Sequence, residues 1–406
     1  MPYSLILDLG SSSTKAIIAQ KNGKNGWQVV FPALRKSRGI KQGMVANLEE
    51  LTKELDNFLT EMEAMNKNFA FRRAIVGISG PHLEIRFSKG VSVVSRPDGE
   101  VTEDDKERAY KAAEACILPP NRVLVQTVLR NYIIDGVTKI KDPIGMKGLR
   151  LEVECLLVDA FSPVILNLDR LGEMLGMKLN PKIIIPFCGA EIALSPQDKE
   201  LGSVAIDLGA GTTSLCLYED SELLDLKVFP LGGNNITNDI AVGLRTYVDV
   251  AEKIKIAEGV AIAKKVSKGE VVDLESYWEE ADKDSKINKR FLAEIMEARL
   301  SEIFDLIGDR LKQLNRFGKL PGGVVLYGGG AKIPFVSELA KEKFKLPVKI
   351  AKPEIEWYKE NPDPIFIPVL GLANFELQEA NERETIFEKE GIFKRLINSI
   401  YRFFST

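Results

Sequence analysis

The sequence predicts an α/β protein of two lobes that each begin with the same β-hairpin, with a small α+β unit inserted in the first lobe. In both hairpins, at residues 4–20 and 203–218, a strand runs into a glycine turn and a second strand leaves it. The two copies share four residues at the same offsets: Asp8 and Asp207, Leu9 and Leu208, Gly10 and Gly209, Thr14 and Thr213. A duplication this far apart predicts two related lobes rather than a short-period repeat array.

The segments between and after the hairpins alternate between helical and strand patterns. Helices are predicted where apolar residues recur at spacings of three and four, over 48–65, 103–115, 239–266 and 288–314. Strand signals near 83–94 and 123–132 are bounded by Gly80-Pro81 and by Asp135-Gly136. These signals predict that 81–162 forms the inserted α+β unit.

Composition excludes several classes of protein. The 406 residues include 55 Lys and Arg against 58 Asp and Glu, so the chain lacks the basic excess of a general nucleic-acid-binding protein. The four cysteines show no metal-ligand spacing, and a single histidine, His82, excludes a histidine cluster or triad. His82 follows Gly80-Pro81 and is expected in a loop or at the surface. We expect no signal peptide and no membrane-spanning helix, since no run reaches about 18 uncharged apolar residues.

The hairpin turns have the residue types that bind phosphate. Backbone N–H groups must approach the phosphate oxygens closely, which Gly10, Gly209 and Gly211 permit, with Ala210 between the last two. Hydroxyl donors are supplied by Ser11, Ser12, Ser13, Thr212 and Thr213. Lys15 adds a positive charge. Asp8 and Asp207 are the candidate catalytic carboxylates and the candidate Mg²⁺ site, which they would hold largely through water.

A third glycine-rich turn follows the apolar strand that ends at Tyr327. Gly328, Gly329 and Gly330 precede a helix predicted from about Pro334, and Lys332 lies between them. Such a turn lets a nucleoside lie against the backbone. The second hairpin and this turn together predict a nucleotide site.

The order hairpin, hairpin, glycine turn resembles the actin and heat-shock-chaperone ATPase superfamily. Within it, nearly the whole chain resembles the bacterial FtsA family. The resemblance depends on segments 37–45, 142–146 with 150–152, 230–241, 251–255 and 325–331, and on the C-terminal end.

The resemblance implies an actin-like (duplicated RNase H-like) fold that binds ATP and Mg²⁺. It implies subdomain 1A at 1–80, 163–200 and 360–378, an inserted subdomain 1C at 81–162, subdomain 2A at 201–232 and 298–359, and subdomain 2B at 233–297. Gly232, Gly233, Glu252 and Lys255 would border the nucleotide. From the residues alone, Glu252 and Lys255 form an i,i+3 pair on a solvated helix face.

Two positions depart from the family pattern. Tyr327 stands where the family usually has threonine. The segment Phe187–Leu194, expected to cross between the lobes, offers Glu191 as its only carboxylate. Hydrolysis requires a group that orients the attacking water, so we expect at most a slow ATPase, with Glu191 as the catalytic candidate.

The last residues change character. Residues 379–390 read as an acidic linker, and 391–406 as an amphipathic helix without acidic side chains. A helix of this length is too short to cross a bilayer and suits its interface. Its membrane-binding residues are predicted to be Ile392, Phe393, Lys394, Arg395, Leu396, Ile397, Ile400, Phe403 and Phe404. The alternative is a C-terminal helix that docks on the body of the protein.

The resemblance implies a cell-division adaptor at the cytoplasmic face of the membrane, where it polymerises with its own copies and tethers FtsZ. The FtsZ C-terminal peptide would dock on 233–297, with Arg290 and Arg299 as contacts, and the insert would serve self-association and other division proteins. From the residues alone, both arginines are solvated helix side chains. Two alternatives stay open: an actin-like protein of pilus assembly, and a sugar or acetate kinase of the same superfamily.

Overall fold

The computed structural model describes residues 3–22, 26–278 and 285–376. The predicted acidic linker and the predicted amphipathic helix lie outside the described residues. No helix within the described ranges is long and apolar enough to cross a membrane.

Strands and helices alternate along the chain. The strands are β1 (Tyr3–Leu9), β2 (Ser13–Asn22), β3 (Gly26–Lys36), β4 (Ile40–Lys41), β5 (Met44–Val45), β6 (Arg73–Ile78), β7 (Glu84–Val93), β8 (Arg122–Ile134), β9 (Thr138–Ile140), β10 (Arg150–Phe161), β11 (Lys178–Ile184), β12 (Ser203–Leu208), β13 (Thr213–Glu219), β14 (Glu222–Phe229), β15 (Val271–Asp273), β16 (Lys286–Asn288), β17 (Gly323–Tyr327) and β18 (Val348–Ile350). The α-helices are α1 (Leu48–Met65), α2 (Glu103–Glu114), α3 (Ser162–Met174), α4 (Ile185–Ala193), α5 (Pro196–Leu201), α6 (Gly233–Leu244), α7 (Val248–Glu258), α8 (Lys289–Gln313), α9 (Val336–Phe344) and α10 (Glu356–Glu360), followed by helical residues 367–376.

The two lobes have five-stranded sheets of the same topology. The first has the order β3-β2-β1-β6-β11 and the second β14-β13-β12-β17-β18. In each sheet the first three strands are antiparallel hairpin neighbours, and the last two run parallel to the first strand of the lobe. The duplication that the hairpin residues predict is therefore a duplication of the whole sheet, and the predicted two-lobed fold is confirmed.

Burial on both faces explains why the central strands are almost entirely apolar. Leu5, Ile6 and Leu7 of β1 and Val204 and Ile206 of β12 expose at most 1% of their surface. Strands covered on both faces read as continuous apolar runs rather than as alternating ones. The charged exceptions, Asp8 and Asp207, come at the carboxyl ends of β1 and β12, where ligands bind in open α/β sheets.

The insert is an antiparallel sheet of order β7-β10-β8-β9 with α2 packed on it. It leaves the first lobe after β6 and returns at α3, so the predicted α+β unit in the first lobe is confirmed. Gly90 in β7 lies directly under α2, where a Cβ would overlap the Ala109 carbonyl oxygen. Glycine at this position therefore allows the helix to pack closely on the sheet.

Three sequence expectations differ from the structure. The helix expected from 239 begins at Gly233, because carbonyl groups of the second hairpin turn accept the first amide N–H groups of α6. The third glycine turn continues as a 3₁₀ turn, Gly329–Lys332, and α9 starts only at Val336. His82 lies in a turn, as expected, but it is not at the surface: it exposes 4% of its surface, because it packs where the insert joins the first lobe.

Candidate nucleotide site

The two hairpin turns have the same local geometry. Each turn contains four residues between the last paired residues of its two strands, which are Leu9 with Thr14 in the first hairpin and Leu208 with Thr213 in the second. A Cβ on Gly10 would lie 2.7 Å from the carbonyl oxygen of Ser13, and a Cβ on Gly209 would meet the carbonyl of Thr212 at the same 2.7 Å. A side chain at either glycine would push the turn open, so both loops need glycine at their first position.

The two turns meet across the interface between the lobes. Ser11 of the first turn lies against Gly211 of the second, where any side chain would overlap its hydroxyl. The Ser11 hydroxyl also accepts a hydrogen bond from the Gly43 amide N–H at 3.0 Å. The turns thus face each other at the carboxyl ends of β1 and β12, and we name the space that they border the cleft.

Charged side chains line the floor of this cleft. Lys15 and Asp8, opposite each other on β2 and β1, form a nearly buried ion pair at 3.0 Å. At the corresponding end of β12, burial raises the pKa of Asp207 to about 7. The positive charge of Lys15 lowers this pKa and the negative charge of Asp8 raises it. These two side chains therefore act electrostatically on Asp207 from the other lobe. A carboxylate so poorly compensated is a suitable ligand for a divalent cation.

The third glycine turn closes over Asp207. Gly328 has a φ of +82°, and a Cβ there would overlap the Asp207 carboxylate. Gly330 packs on Leu208, whereas a Cβ on Gly329 would have open space around it. The structure thus brings this turn to the second hairpin, as a nucleoside-binding turn requires.

The start of α6 joins the second hairpin turn to α7. Gly233 donates its amide N–H to the Gly209 carbonyl at 2.9 Å, and Gly232 is packed too closely on the same turn to carry a side chain. Lys255 Nζ of α7 donates to the Gly233 carbonyl at 3.1 Å and pairs with Glu252 at 2.6 Å. Lys255 exposes 11% of its side chain, so the pair is not on a solvated face, as its spacing alone suggests, but beside the cleft.

Other predicted residues lie elsewhere or are already engaged. Glu191 accepts hydrogen bonds from Lys199 at 2.7 Å and from Tyr218, near the end of β13 opposite the hairpin turn. The structure does not bring Glu191 to the cleft. Helix α4 begins at the edge of the sheet that borders the cleft and runs away from that edge, and Glu191 lies six residues after its start. Thr213 is fully buried, and its hydroxyl has no hydrogen-bond partner among the described residues.

The three basic side chains predicted to bind nucleotide or partner peptide, Lys332, Arg299 and Arg290, each lie next to a carboxylate. Lys332 is half-exposed and pairs with Asp363 at 2.7 Å. Arg299 forms a bidentate pair with Asp239 of α6, at 2.6 and 2.9 Å, so its guanidinium ties α8 to α6. Arg290, at the start of α8, is 43% exposed and lies 3.5 Å from Glu294.

Sequence reasoning missed one part of the site. Gln42 and Gly43, the turn between β4 and β5, both have positive φ. Gln42 donates through its side-chain amide to the Pro230 carbonyl of the second lobe at 2.9 Å. Segment 37–45 carries the family resemblance, and its Gln-Gly pair is the sequence sign of a tight turn.

The duplicated sheets and the facing hairpins define a protein of the actin-like ATPase fold. Solved structures with this fold include a PilM–PilN type IV pilus biogenesis complex, with a TM-score of 0.63 and 18% identity over 92% of this chain and 98% of that one. MreB5 of Spiroplasma citri bound to ADP matches with a TM-score of 0.57 and 16% identity, over 95% and 99% of the two chains. At these identities the likeness shows the fold.

Sequence relatives define the family. The cell division protein FtsA of Bacillus subtilis is 31% identical over 374 residues, which cover 92% of this chain and 83% of that protein. The family model for cell division protein FtsA matches residues 204–371, and the model for the SHS2 domain inserted in FtsA matches 80–159. The chain belongs to the FtsA family of cell division proteins.

Proposed function

We propose that the chain binds ATP with Mg²⁺ in the cleft between the two hairpin turns. The observation that carries this proposal is the pairing of two glycine turns of the same geometry across the lobes, with Lys15, Asp8 and Asp207 on the floor. Backbone N–H groups of the turns and Lys15 would bind the phosphates, and the two aspartates would hold the hydrated cation. Lys255 and the Gly328–Gly330 turn would flank the nucleoside.

Nucleotide in this cleft would act mainly on assembly. The predicted catalytic Glu191 is engaged with Lys199 and Tyr218, and the first turns of α4 carry Pro186, Phe187 and Cys188, none of which orients water. We therefore propose at most slow hydrolysis, with ATP favouring the lobe arrangement that polymerises. A metabolic kinase would need a carboxylate next to the hydroxyl group that accepts the phosphate. Asp8 and Asp207 do not supply it in this proposal, because Asp8 pairs with Lys15 and both aspartates would hold the hydrated cation.

We propose further that residues 391–406 bind the cytoplasmic face of the cell membrane at the division site and that 379–390 link them to the body. The three cations of that segment would each contribute about 1 kcal/mol towards anionic lipid, and its apolar pairs the rest. One such segment binds lipid reversibly, so polymerisation would make attachment firm through multivalency.

The adaptor partner would be the C-terminal peptide of FtsZ, docking on 233–297. Support comes from exposed apolar side chains on this subdomain, including Ile256 at 74% and Phe291 at 46% exposed. Arg290 would face the acidic peptide. Arg299 remains a predicted contact, although its guanidinium is already paired with Asp239. The 81–162 insert would serve self-association and other division proteins.

Liposome co-sedimentation with FtsZ tests the adaptor. Full-length chain with ATP should carry FtsZ onto anionic vesicles, and a chain ending at Glu390 should leave FtsZ in the supernatant. If the truncated chain pellets equally well, the membrane assignment is wrong. If the full chain pellets without FtsZ, the adaptor assignment is wrong. Pilus assembly is the alternative, and the PilM–PilN structure shares the fold with this chain at 18% identity.

A further inference from the structure

The insert touches both lobes. It is covalently part of the first lobe, but its strand β8 also packs beside β14 of the second. There Glu222 receives a hydrogen bond from Arg130 Nη2 at 2.9 Å and another from Asn131 Nδ2 at 2.6 Å. The exposed fractions of the Arg130 and Glu222 side chains are 17% and 11%, so solvent screens this contact less than a surface ion pair.

The base of the insert is tied firmly to its own lobe. Arg122, on β8, is buried and pairs with Asp159 of β10, and it donates to the His82 carbonyl at 2.7 Å. Its guanidinium also stacks over the ring of Phe161, 4.7 Å from the centroid. Because these contacts cross-link the strands where the chain enters and leaves the insert, the insert should move together with the first lobe.

Strand β14 joins this contact to the nucleotide cleft. Glu222 is the first residue of this eight-residue strand, and Pro230 directly follows its last residue. Glu222 and Pro230 are therefore about 25 Å apart along the strand. Pro230 accepts the hydrogen bond from Gln42, and Gly232, two residues further, packs on the second hairpin turn. Both ends of one strand of the second lobe are therefore bound to parts of the first.

We infer that the Glu222–Arg130–Asn131 contact is a clasp through which the insert and the nucleotide cleft are energetically coupled. Opening the lobes requires the clasp and the Gln42 contact to break or shift, and a nucleotide that holds the lobes together favours both. Coupling between two sites is reciprocal. A ligand that binds the insert through Arg130 therefore changes the affinity for nucleotide by the same factor by which bound nucleotide changes the affinity for that ligand. This inference rests on the proposed nucleotide site.

Glu222→Gln in the full-length chain tests the clasp, because the amide keeps the shape and loses the charge. The ATP dissociation constant should rise about fivefold or more, a usual size for coupling between sites. Glu219→Gln is the matched control. Glu219 lies on the neighbouring strand β13 and pairs at 2.6 Å with Arg316, which follows α8, so this contact is entirely within the second lobe. Its loss should leave ATP affinity within about twofold. The exchanged pair, Glu222→Arg with Arg130→Glu, should restore part of the affinity, because it re-forms the ion pair but not the hydrogen bond from Asn131.

Hydrogen exchange gives a readout without nucleotide. Glu222→Gln should speed amide exchange at both β8 and the turn at 209–212, whereas Glu219→Gln should not. Equal ATP affinity and equal exchange in the two variants would overturn the clasp. If the unaltered chain binds no ATP, the proposed nucleotide site is wrong, and exchange at 209–212 alone then decides whether the clasp reaches the cleft.

Discussion

Replacing Asp207 by asparagine should stabilise the nucleotide-free protein at alkaline pH. Burial and the nearby Asp8 raise the pKa of Asp207 from 3.8 to about 7, although Lys15 opposes this. The native state therefore binds this proton more tightly than the unfolded chain. Its stability falls as pH rises from about 4 to 7, and the loss is complete above pH 7. At 1.36 kcal/mol per pH unit, the ionised carboxylate costs up to about 4 kcal/mol.

Thermal unfolding of Asp207→Asn and the unaltered chain, both without nucleotide and in chelator, measures this cost. The variant should melt several degrees higher at pH 8, and most of the gain should disappear at pH 5. Asp225→Asn is the control with opposite sign, because Asp225 is buried and held bidentately by Arg310 at 2.7 Å. The reasoning fails if Asp207→Asn is no more stable at pH 8, or equally stabilised at both pH values. Affinity for Mg-ATP should nevertheless fall, since the variant loses a proposed cation ligand.

Five further substitutions, two matched pairs and one single change, separate the roles of residues at and near the site. Gly328→Ala, at a φ of +82° and against a carboxylate, should lower the free energy of unfolding by about 1–3 kcal/mol, whereas Gly329→Ala, which has open space, should change it little in the same denaturant titration. Arg299→Ala should lower the free energy of unfolding by about 1 kcal/mol through loss of its bidentate pair, and Arg290→Ala should lower it by less than about 0.5 kcal/mol. In a titration with the FtsZ peptide, Arg290→Ala should nevertheless bind more weakly than the unaltered chain. Lys255→Met should weaken ATP binding about tenfold in a calorimetric titration, as expected for loss of a charge-assisted contact, and unchanged affinity would remove it from the site.

The sequence predicts the hairpins well because their chemistry is local. A tight turn of this geometry needs glycine at its first position, and the duplication repeats that position two residues after Asp8 and two residues after Asp207. The helix start at Gly233 was not predictable in the same way. Glycine and asparagine are poor helix formers, and α6 begins there because distant carbonyl groups at Gly209 and Ala210 accept its first N–H groups.

Side chains whose role depends on tertiary position were harder to assign. Glu191 is the only carboxylate of α4, but helix direction and register decide that it faces Lys199 and Tyr218 instead of the cleft. His82 follows a Gly-Pro turn signal yet is buried where the insert joins the lobe. There burial and the charge of Arg122 lower its pKa to about 4. No local pattern distinguishes such a residue from a surface histidine.

The insert begins and ends at one point of the first lobe. Glu84 at the start of β7 is paired directly with Asp159 near the end of β10, so the two chain crossings lie side by side, about 5 Å apart between Cα atoms. A short linker could therefore replace the whole unit at little cost in loop closure. The first lobe can thus carry a different module at this point, and the insert is a natural site for grafting reporter domains, provided that Leu156 and Val158 of β10 are kept, since they belong to the core of the lobe.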